Sequence, residues 1–173
     1  MKIEIAKVGY LETNCYILKK DNKALVIDPG DEIDKINKII GEHIAVGVLI
    51  THNHFDHVGA LSHFDKNIIY DYSKLEEKEY NIDGFKFKVI YTPGHSKDSI
   101  SYYFEDVKSI FCGDFIFYEN IGRCDLPTGN FNTMKESINK IKKYPKDIII
   151  YPGHGGSTTL EHEINNNIYF KEV

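Results

Sequence analysis

The first third of the chain has the alternation of apolar and polar residues that is typical of β-strands. Lys2–Val8 alternates with period two, and Asn14–Lys20 and Lys23–Asp28 are rich in β-branched and apolar residues, so three strands are predicted. Asp31–Gly41 carries isoleucines at helical spacing and ends on glycine, which predicts a helix with a C-terminal stop. Ile44–Thr51 is an apolar run of strand length. Four strands and one helix are therefore predicted in this part of the chain.

The remainder of the chain repeats this order of strands followed by helices. An Asp-Gly pair between Glu79–Ile82 and Phe85–Tyr91 predicts a β-hairpin. The segments Thr133–Glu136 and Thr158–Glu161 match the capping box, so a helix is expected to start at each of them. Two β-rich halves that are each followed by helices favour two packed sheets with helices outside. Further strands are predicted at Ser99–Phe104, Ser109–Cys112 and Asp147–Tyr151.

The composition is that of a soluble globular protein with one domain. The chain has 173 residues, of which 42% are hydrophobic and 27% charged, so we expect residues 1–173 to form a single domain. The longest apolar stretch, Ile44–Ile50, is far shorter than the ~20 residues that a membrane-spanning helix needs. The N-terminal segment has no apolar signal-peptide core. A cytoplasmic location without membrane contact is therefore expected.

Charge and cysteine content narrow the classes of partner. The net charge is −5 and no block of like charge is present, which disfavours nucleic acid and anionic membranes as partners. Cys15, Cys112 and Cys124 are odd in number and widely spaced, as is typical of a reducing compartment without disulfides. We therefore expect a small-molecule substrate, and a chain that is a monomer or a small homo-oligomer.

The strongest chemical signal is the segment Thr51–Val58, with the sequence THNHFDHV. Four groups that can bind metal follow directly after a predicted strand, whose end projects side chains into a crevice. Neutral imidazole and carboxylate are ligands that suit zinc and iron at neutral pH. A solvated polar turn is the alternative, but three of the eight histidines of the chain fall within six positions here. The four groups are His52, His54, Asp56 and His57.

Three more candidate ligands follow other predicted strands. His95 and His154 each come directly after Pro-Gly, and Asp114 comes directly after Cys-Gly. Glycine permits the turn and the close approach of chains that a crowded metal site requires. A single histidine after Pro-Gly is more often a hydrogen-bonded turn residue than a ligand. Together with the cluster at His52–His57, however, these residues form one coherent set of metal-ligand candidates.

These motifs and their order resemble the five-motif signature of the metallo-β-lactamase superfamily. The motifs are LVIDPG with Asp28, THNHFDH, PGH with His95, CGD with Asp114 and PGH with His154. The chain is similar to the small glyoxalase II-like (hydroxyacylglutathione hydrolase-like) enzymes of that superfamily in TNCYIL, TPGHSKDSI, IGRCDLPTG and YPGHGGSTTLEHE. The resemblance covers nearly the whole chain. It implies an α/β (α+β) fold, a four-layer αββα sandwich with a metal site at one edge.

The resemblance also implies a metal-dependent hydrolase that cleaves thioesters such as S-lactoylglutathione. Two divalent metal ions, zinc with iron or manganese as the alternatives, would share a hydroxide that attacks the thioester carbonyl. Asp56 and Asp114 would act in catalysis, because Asp56 orients the hydroxide and Asp114 bridges both ions. A cysteine in place of Asp114 would instead indicate a true β-lactamase. The implied ligands are His52, His54 and His95 for one ion, Asp56, His57 and His154 for the other, and Asp114 for both.

Residues next to the implied ligands are expected to support them. The resemblance implies that Asp28 supports the metal-binding loops from behind. Arg123 is the only arginine of the chain, and it lies with Asp125 in a loop that the resemblance puts beside the metal site. We expect Arg123 to pair with an acidic side chain that braces this loop, either Asp125 or a metal ligand. Cys124 is expected to be a small packing residue rather than a reactive thiol.

Three other functions are compatible with these motifs. A mononuclear iron persulfide dioxygenase has a similar ligand set but uses fewer of these residues. A phosphodiesterase or nuclease of the same superfamily shares the two-metal site, although the net charge of −5 and the lack of a basic patch disfavour it. The third is a non-catalytic metal-binding module. The metal content per chain separates them, since two ions favour the hydrolase, one iron favours the dioxygenase and none favours the non-catalytic module.

Overall fold

Two β-sheets form the centre of the fold in the computed structural model, which describes residues 1–172. The strands are β1 (Lys2–Val8), β2 (Thr13–Lys20), β3 (Lys23–Ile27), β4 (Ile44–Leu49), β5 (Ile69–Tyr70), β6 (Glu79–Ile82), β7 (Phe85–Tyr91), β8 (Ile100–Phe104), β9 (Ser109–Gly113), β10 (Ile116–Phe117), β11 (Asn120–Ile121), β12 (Ile149–Pro152) and β13 (Thr158–Thr159). The helices are α1 (Ile33–Ile40), α2 (Phe55–Val58), α3 (Phe131–Ile141), α4 (Leu160–Asn166) and α5 (Ile168–Lys171). Among the described residues, no helix is long and apolar enough to span a membrane.

The order and direction of the strands bring several strand ends to one edge of each sheet. The five-stranded sheet has the order β1-β2-β3-β4-β5, and β3, β4 and β5 run parallel. The six-stranded sheet has the order β13-β12-β9-β8-β7-β6. In it, β9 and β12 are parallel, and β8 is antiparallel to both of its neighbours. Strands β7, β9 and β12 therefore run in one direction and end at the same edge of their sheet.

Apolar side chains at alternate strand positions fill three layers of core. Between the sheets, Leu25 and Ile27 of β3 belong to one buried cluster with large side chains of β7, β8 and β9. On the outer face of the first sheet, Ala24 and Val26 of the same strand pack with Ile36 of α1. On the outer face of the second sheet, strands β9 and β12 pack with α3, α4 and α5. The four-layer αββα sandwich that the resemblance implies is therefore confirmed.

Most strand bounds agree closely with the sequence pattern. Strand β1 begins and ends at the predicted residues, and so do both strands of the hairpin that runs from Glu79 to Tyr91. The turn residues Asp83 and Gly84 both have positive φ, 49° and 94°, as the expected two-residue turn requires. The local Asp-Gly signal was therefore sufficient to fix the register of this hairpin.

Two predicted helix starts are wrong by a few residues. Helix α3 begins at Phe131, because Asn130 rather than Thr133 is its cap and accepts a hydrogen bond from the Thr133 amide at 3.0 Å. Helix α4 is capped by Thr159, whose hydroxyl accepts a hydrogen bond from the His162 amide at 3.2 Å, whereas the Thr158 hydroxyl donates to Glu163. At each start, more than one residue with a capping side chain is present, so the sequence pattern alone does not select the cap.

Candidate metal centre

Five strands end in loops that converge at one edge of the sandwich. Glycine allows the loops to pack this closely, since a Cβ atom on Gly153 would lie only 2.2 Å from Asp114 Oδ1 and 2.7 Å from His57 Cε1. The lack of space for a side chain therefore explains the glycine that precedes His154. The loops carry Asp28 after β3, His52–His57 after β4, His95 after β7, Asp114 after β9 and His154 after β12.

The structure brings all seven implied ligands together in three overlapping groups. Within each group, one ligand atom from each side chain lies within 4.8 Å of the others. His52 and His57 each belong to two groups, so the three groups form one continuous candidate metal centre. The groups are His52, His54 and His95; His52, His57 and Asp114; and Asp56, His57 and His154.

The three histidines of the first group face one another at close range. The ring centroid of His54 lies 4.6 Å from that of His52 and 4.7 Å from that of His95. The Nδ1 atom of His54 and the Nε2 atom of His95 are 2.9 Å apart. Imidazole nitrogens that converge in this way can share one cation.

Two carboxylates complete the centre. Oδ2 of Asp56 lies 3.2 Å from Nε2 of His154 and 3.4 Å from Nε2 of His57. Oδ1 of Asp114 lies 3.4 Å from Nε2 of His57 and 3.5 Å from Nε2 of His154. The other oxygen of Asp114, Oδ2, lies 3.6 Å from Nε2 of His95. Asp114 is therefore placed between the first group of histidines and the group that contains Asp56.

Hydrogen bonds behind the histidines decide which ring nitrogen faces the centre. Nδ1 of His95 lies 2.8 Å from the carbonyl oxygen of Arg123, and Nδ1 of His154 lies 3.0 Å from that of Leu11. A carbonyl oxygen only accepts, so in both bonds Nδ1 carries the proton and donates it. Nε2 of each neutral ring therefore keeps its lone pair, which is the form that binds a metal.

Asp28 supports two more of the histidines from the rear of the centre. Its carboxylate accepts hydrogen bonds from the Thr51 amide at 2.8 Å and from the Thr51 hydroxyl at 2.6 Å. It also lies 2.9 Å from Nδ1 of His57. Because the Thr51 hydroxyl donates to Asp28, it accepts from Nδ1 of His52, 3.1 Å away. His52 and His57 thus also present Nε2 to the centre.

Three ligand atoms are buried and have no hydrogen-bond partner among the residues that the structure describes. They are Nε2 of His52, Nε2 of His57 and Oδ1 of Asp114. A buried polar atom without a partner costs roughly 1–3 kcal/mol, so native proteins rarely leave one unpaired. Imidazole and carboxylate atoms that converge without partners fit a divalent cation.

The charges of the centre shift the pKa values of its members in opposite directions. Burial lowers the pKa of His57, but the carboxylates of Asp28 and Asp114 outweigh this effect and raise it to about 10. Burial and the neighbouring histidines hold the pKa of His52 well below its usual range. Burial raises the pKa of Asp114, yet His57 lowers it to about 2. In the metal-free chain, a proton on His57 therefore supplies the positive charge that a cation would otherwise bring.

Two further supporting residues are missing from the sequence-based prediction, as are Leu11 and Thr51. Thr13 is buried at the start of β2, and its hydroxyl donates to Oδ2 of Asp56 at 3.0 Å. The buried side-chain amide of Asn14 donates two hydrogen bonds of 3.0 Å to the main chain of the loop that carries His154. The available signal was a Thr-Asn pair at the start of an otherwise apolar strand.

Arg123 and Asp125 pair with each other in the loop beside His95. The guanidinium donates from Nε and Nη2 to the two carboxylate oxygens of Asp125, at 2.8 and 2.7 Å. The side chains are 63% and 69% exposed, so solvent screens the pair and it contributes little stability. The loop reaches the centre through the Arg123 carbonyl oxygen instead. Cys124, between them, packs against the core, and burial raises its pKa.

Comparison with known proteins agrees with the motifs. The family model described as the metallo-beta-lactamase superfamily matches residues 8–71 and 69–154. The probable metallo-hydrolase YqgX of Bacillus subtilis is 34% identical, over an alignment that covers 96% of this chain and 96% of that protein. The hydroxyacylglutathione hydrolase GloC of Haemophilus influenzae is 32% identical, and its alignment covers 96% of this chain and 97% of GloC.

Solved structures extend this similarity to the whole fold. BLEG-1, described as a B3 metallo-beta-lactamase, superimposes with a TM-score of 0.92 at 29% identity, over 98% of this chain and 99% of that one. TTHA1623, solved in a di-iron-bound form, superimposes with a TM-score of 0.85 at 28% identity, over 95% of this chain and 98% of that one.

Proposed function

The chain belongs to the metallo-beta-lactamase superfamily of metallo-hydrolases, and on this premise we propose that it hydrolyses acyl thioesters at a centre of two divalent cations. The observation that carries the proposal is the convergence of Nε2 of His52, Nε2 of His57 and Oδ1 of Asp114. These three atoms are buried, and none of them has a hydrogen-bond partner in the described part of the chain. His57 Nε2 and Asp114 Oδ1 face each other at 3.4 Å. A cation at each side of Asp114 would satisfy all three.

The geometry of the three groups supports the proposed ligands. Two cations rather than one are supported by Asp114, whose oxygens lie near ligand nitrogens of different groups. The di-iron-bound form of TTHA1623 also supports two ions. Zinc is the proposed ion, and iron and manganese suit the same imidazole and carboxylate ligands. The first cation would be held by His52, His54 and His95, the second by Asp56, His57 and His154, and Asp114 would contact both.

Asp56 is the proposed carrier of the proton that moves during hydrolysis. When bound, the cations would supply Lewis-acid activation of a water molecule and of the thioester carbonyl. The Asp56 carboxylate, held by the Thr13 hydroxyl, would orient that water and take its proton. A C–O bond then forms, the C–S bond breaks, and Asp56 passes the proton to the departing sulfur. This transfer is downhill, because a thiolate (pKa ~8.5) is more basic than an ordinary carboxylate (pKa ~3.9). Burial raises the pKa of Asp56, but the hydrogen bond with His154 and the charge of His57 outweigh it and hold this pKa well below its usual range, which favours the transfer further. The products are a carboxylic acid and a thiol.

The thioester class is supported by a relative and by the residue at position 114. GloC, aligned over 97% of its length, is a hydroxyacylglutathione hydrolase. The side chain between the groups of ligands is the Asp114 carboxylate, whereas a thiolate there would favour a true β-lactamase. The nearby Cys112 does not supply that thiolate, because burial raises its pKa to about 12.

The test of the proposal is thioester hydrolysis by metal-depleted and metal-reconstituted protein. S-lactoylglutathione and S-ethyl thioacetate would be supplied, and the released thiol measured with a thiol-reactive dye. We expect no release after treatment with a strong chelator and recovery after zinc is added. Activity that persists after complete metal removal would contradict the proposal. So would a reconstituted protein that leaves both thioesters intact but cleaves a phosphodiester or consumes oxygen with a persulfide.

A further inference from the structure

A cavity opens beside the metal centre, and Asp56 belongs to both. Its volume is about 280 Å³, and it is lined by the turn between β1 and β2 and by the segment around Phe55. The apolar walls come from Val8, Tyr10, Leu11 and Phe55. None of these four residues belongs to the candidate metal ligands, so the cavity is a separate feature that adjoins the reaction site.

The walls of this cavity are unusually exposed for apolar side chains. Tyr10 is 83% exposed, Phe55 63% and Leu11 42%. The rings of Tyr10 and Phe55 are stacked, with centroids 6.4 Å apart and an angle of 19° between the planes. Clustered aromatic groups that are left in water mark a surface that gains free energy when an apolar group covers it.

The cavity is tied to the metal centre by two hydrogen bonds. The turn that carries Tyr10 also carries Leu11, whose carbonyl oxygen accepts from His154. It ends at Thr13, whose hydroxyl donates to Asp56. An occupant of the cavity would therefore be held at a fixed position relative to the carboxylate of Asp56.

The charge of the cavity restricts its occupant. Within the described residues 1–172, the lining includes the carboxylates of Asp31 and Asp56 and neither lysine nor arginine. The proposed cation would neutralise Asp56, which leaves Asp31 as the charge of the cavity wall, and no lysine or arginine of the described lining could pair with the two carboxylates of glutathione. An uncharged alkyl or aryl group would cover the aromatic walls without this cost.

We propose that this cavity binds an uncharged alkyl or aryl substituent on the thiol half of the thioester, so that the chain prefers thioesters of apolar thiols over those of glutathione. The inference rests on the proposed function, in which Asp56 returns a proton to the departing sulfur and hence lies beside the thiol half. Tyr10 and Phe55 then determine specificity for the thiol.

The experiment compares the kcat/KM of the zinc-loaded protein for S-ethyl thioacetate, S-hexyl thioacetate and S-acetylglutathione. The acyl group is constant, so differences report on the thiol half. Each buried CH₂ contributes about a fourfold gain (~0.8 kcal/mol), so we expect the hexyl ester to exceed the ethyl ester by at least tenfold and to exceed the glutathione ester. Equal values, or a preference for glutathione, would overturn the proposal.

Variants of the aromatic walls test whether the preference for the hexyl ester arises in this cavity. Tyr10→Ala and Phe55→Ala are expected to reduce the hexyl-to-ethyl ratio at least fivefold at unchanged metal content, and Phe55→Leu to retain much of it. Tyr118→Ala is the matched control, because Tyr118 is 57% exposed but stacks on His162 outside this cavity. A hexyl-to-ethyl ratio that falls as far in Tyr118→Ala as in the cavity variants would contradict the assignment. The assignment would also be contradicted if kcat/KM rose with the length of the acyl group in a series of S-ethyl esters rather than with the length of the thiol.

A binding measurement separates this inference from the proposed function. 2-Nonanone has the shape of S-hexyl thioacetate with CH₂ in place of sulfur and is not cleaved. In the wild-type protein, we expect it to shift the amide NMR signals of Tyr10, Leu11 and Phe55 more strongly than 2-butanone does. In Tyr10→Ala, we expect no such difference between the two ketones at positions 10, 11 and 55. This result would support the cavity assignment even if no thioester were hydrolysed. Shifts confined to other parts of the protein would overturn it.

Discussion

At the residue scale, Thr13 connects the start of the chain to the metal centre. Its hydroxyl donates to Oδ2 of Asp56 from 43 residues away in sequence. Thr13→Val keeps the shape of the side chain but removes the donor, and a hydrogen bond to a charged group is worth roughly 1.5–3 kcal/mol. We expect this variant to bind its second cation at least tenfold more weakly in competition with a chromophoric chelator.

Thr13→Ser is the control, because it keeps the hydroxyl and loses only a methyl group. Its affinity for the second cation should stay within about threefold of wild type. If Thr13→Val binds both cations as tightly as the wild-type protein does, Thr13 has no role in positioning Asp56.

The pKa of His57 makes metal binding dependent on pH. Asp28 and Asp114 raise this pKa to about 10, above the usual ~6.5, so the metal-free chain holds a proton on His57 at pH 7. Because the pKa of His57 is higher in the folded chain than in the unfolded chain, protonation of His57 stabilises the metal-free fold. This stabilisation is fully present below about pH 6.5 and is lost as the pH rises through about 10. A cation must displace the proton, so its affinity should rise with pH up to about 10.

Calorimetry in buffers of different ionisation enthalpy measures that displacement. At pH 7 we expect the release of at least about one proton per chain, which comes from His57. His154 would add to this release, because the hydrogen bond with Asp56 raises its pKa as well. Identical binding heats in all buffers would show that His57 is neutral before the metal binds.

The convergence of the candidate metal ligands could be predicted from sequence because each lies in a short local motif, whereas their supporting contacts could not. Leu11 and His154 are 143 residues apart in sequence. No local pattern reports such a pairing, and the same is true of the cavity between Tyr10 and Phe55. The expected pairing of Arg123 with Asp125 is present, whereas the contact of this residue with a candidate ligand comes from its main chain.

At the scale of elements, the strand ends act together because the loops that follow them are in close contact at particular glycines. Gly153 follows β12 and has no room for a methyl group beside Asp114 and His57. We expect Gly153→Ala to displace these side chains and lower cation affinity at least tenfold, as measured by chelator competition.

Gly156→Ala is the matched control for this change. No atom lies within 4 Å of a Cβ at position 156, so the added methyl group meets open space, and cation affinity should not change. Equal affinities for both variants would mean that the loop after β12 yields easily and does not set the geometry of the centre.

Element bounds followed from the sequence wherever one signal dominated. The period-two alternation of β1 and the Asp-Gly turn between β6 and β7 have no close competitor, and their bounds agree with the structure. The start of α3 differs because Asn130 and Thr133 both have capping side chains. The choice between them depends on how the preceding loop packs, which a local pattern does not contain.

At the scale of the whole molecule, each group of proposed ligands draws on both sheets. His52 and His54 follow a strand of the first sheet, and His95 follows a strand of the second. Likewise, Asp56 follows a strand of the first sheet and His154 follows a strand of the second. Cation binding therefore joins the two halves of the sandwich and should stabilise the folded chain.

The most direct test of the account is a metal titration of metal-depleted protein. Bound cation per chain and S-lactoylglutathione hydrolysis are measured in the same samples, for wild type and for Asp114→Ala. We expect wild-type activity to rise with cation content and to level off at about two ions per chain. Asp114→Ala should stay folded, retain about one ion and lose most of the hydrolysis. Full wild-type activity without bound cation, or an Asp114→Ala chain that still binds two ions, would contradict the account.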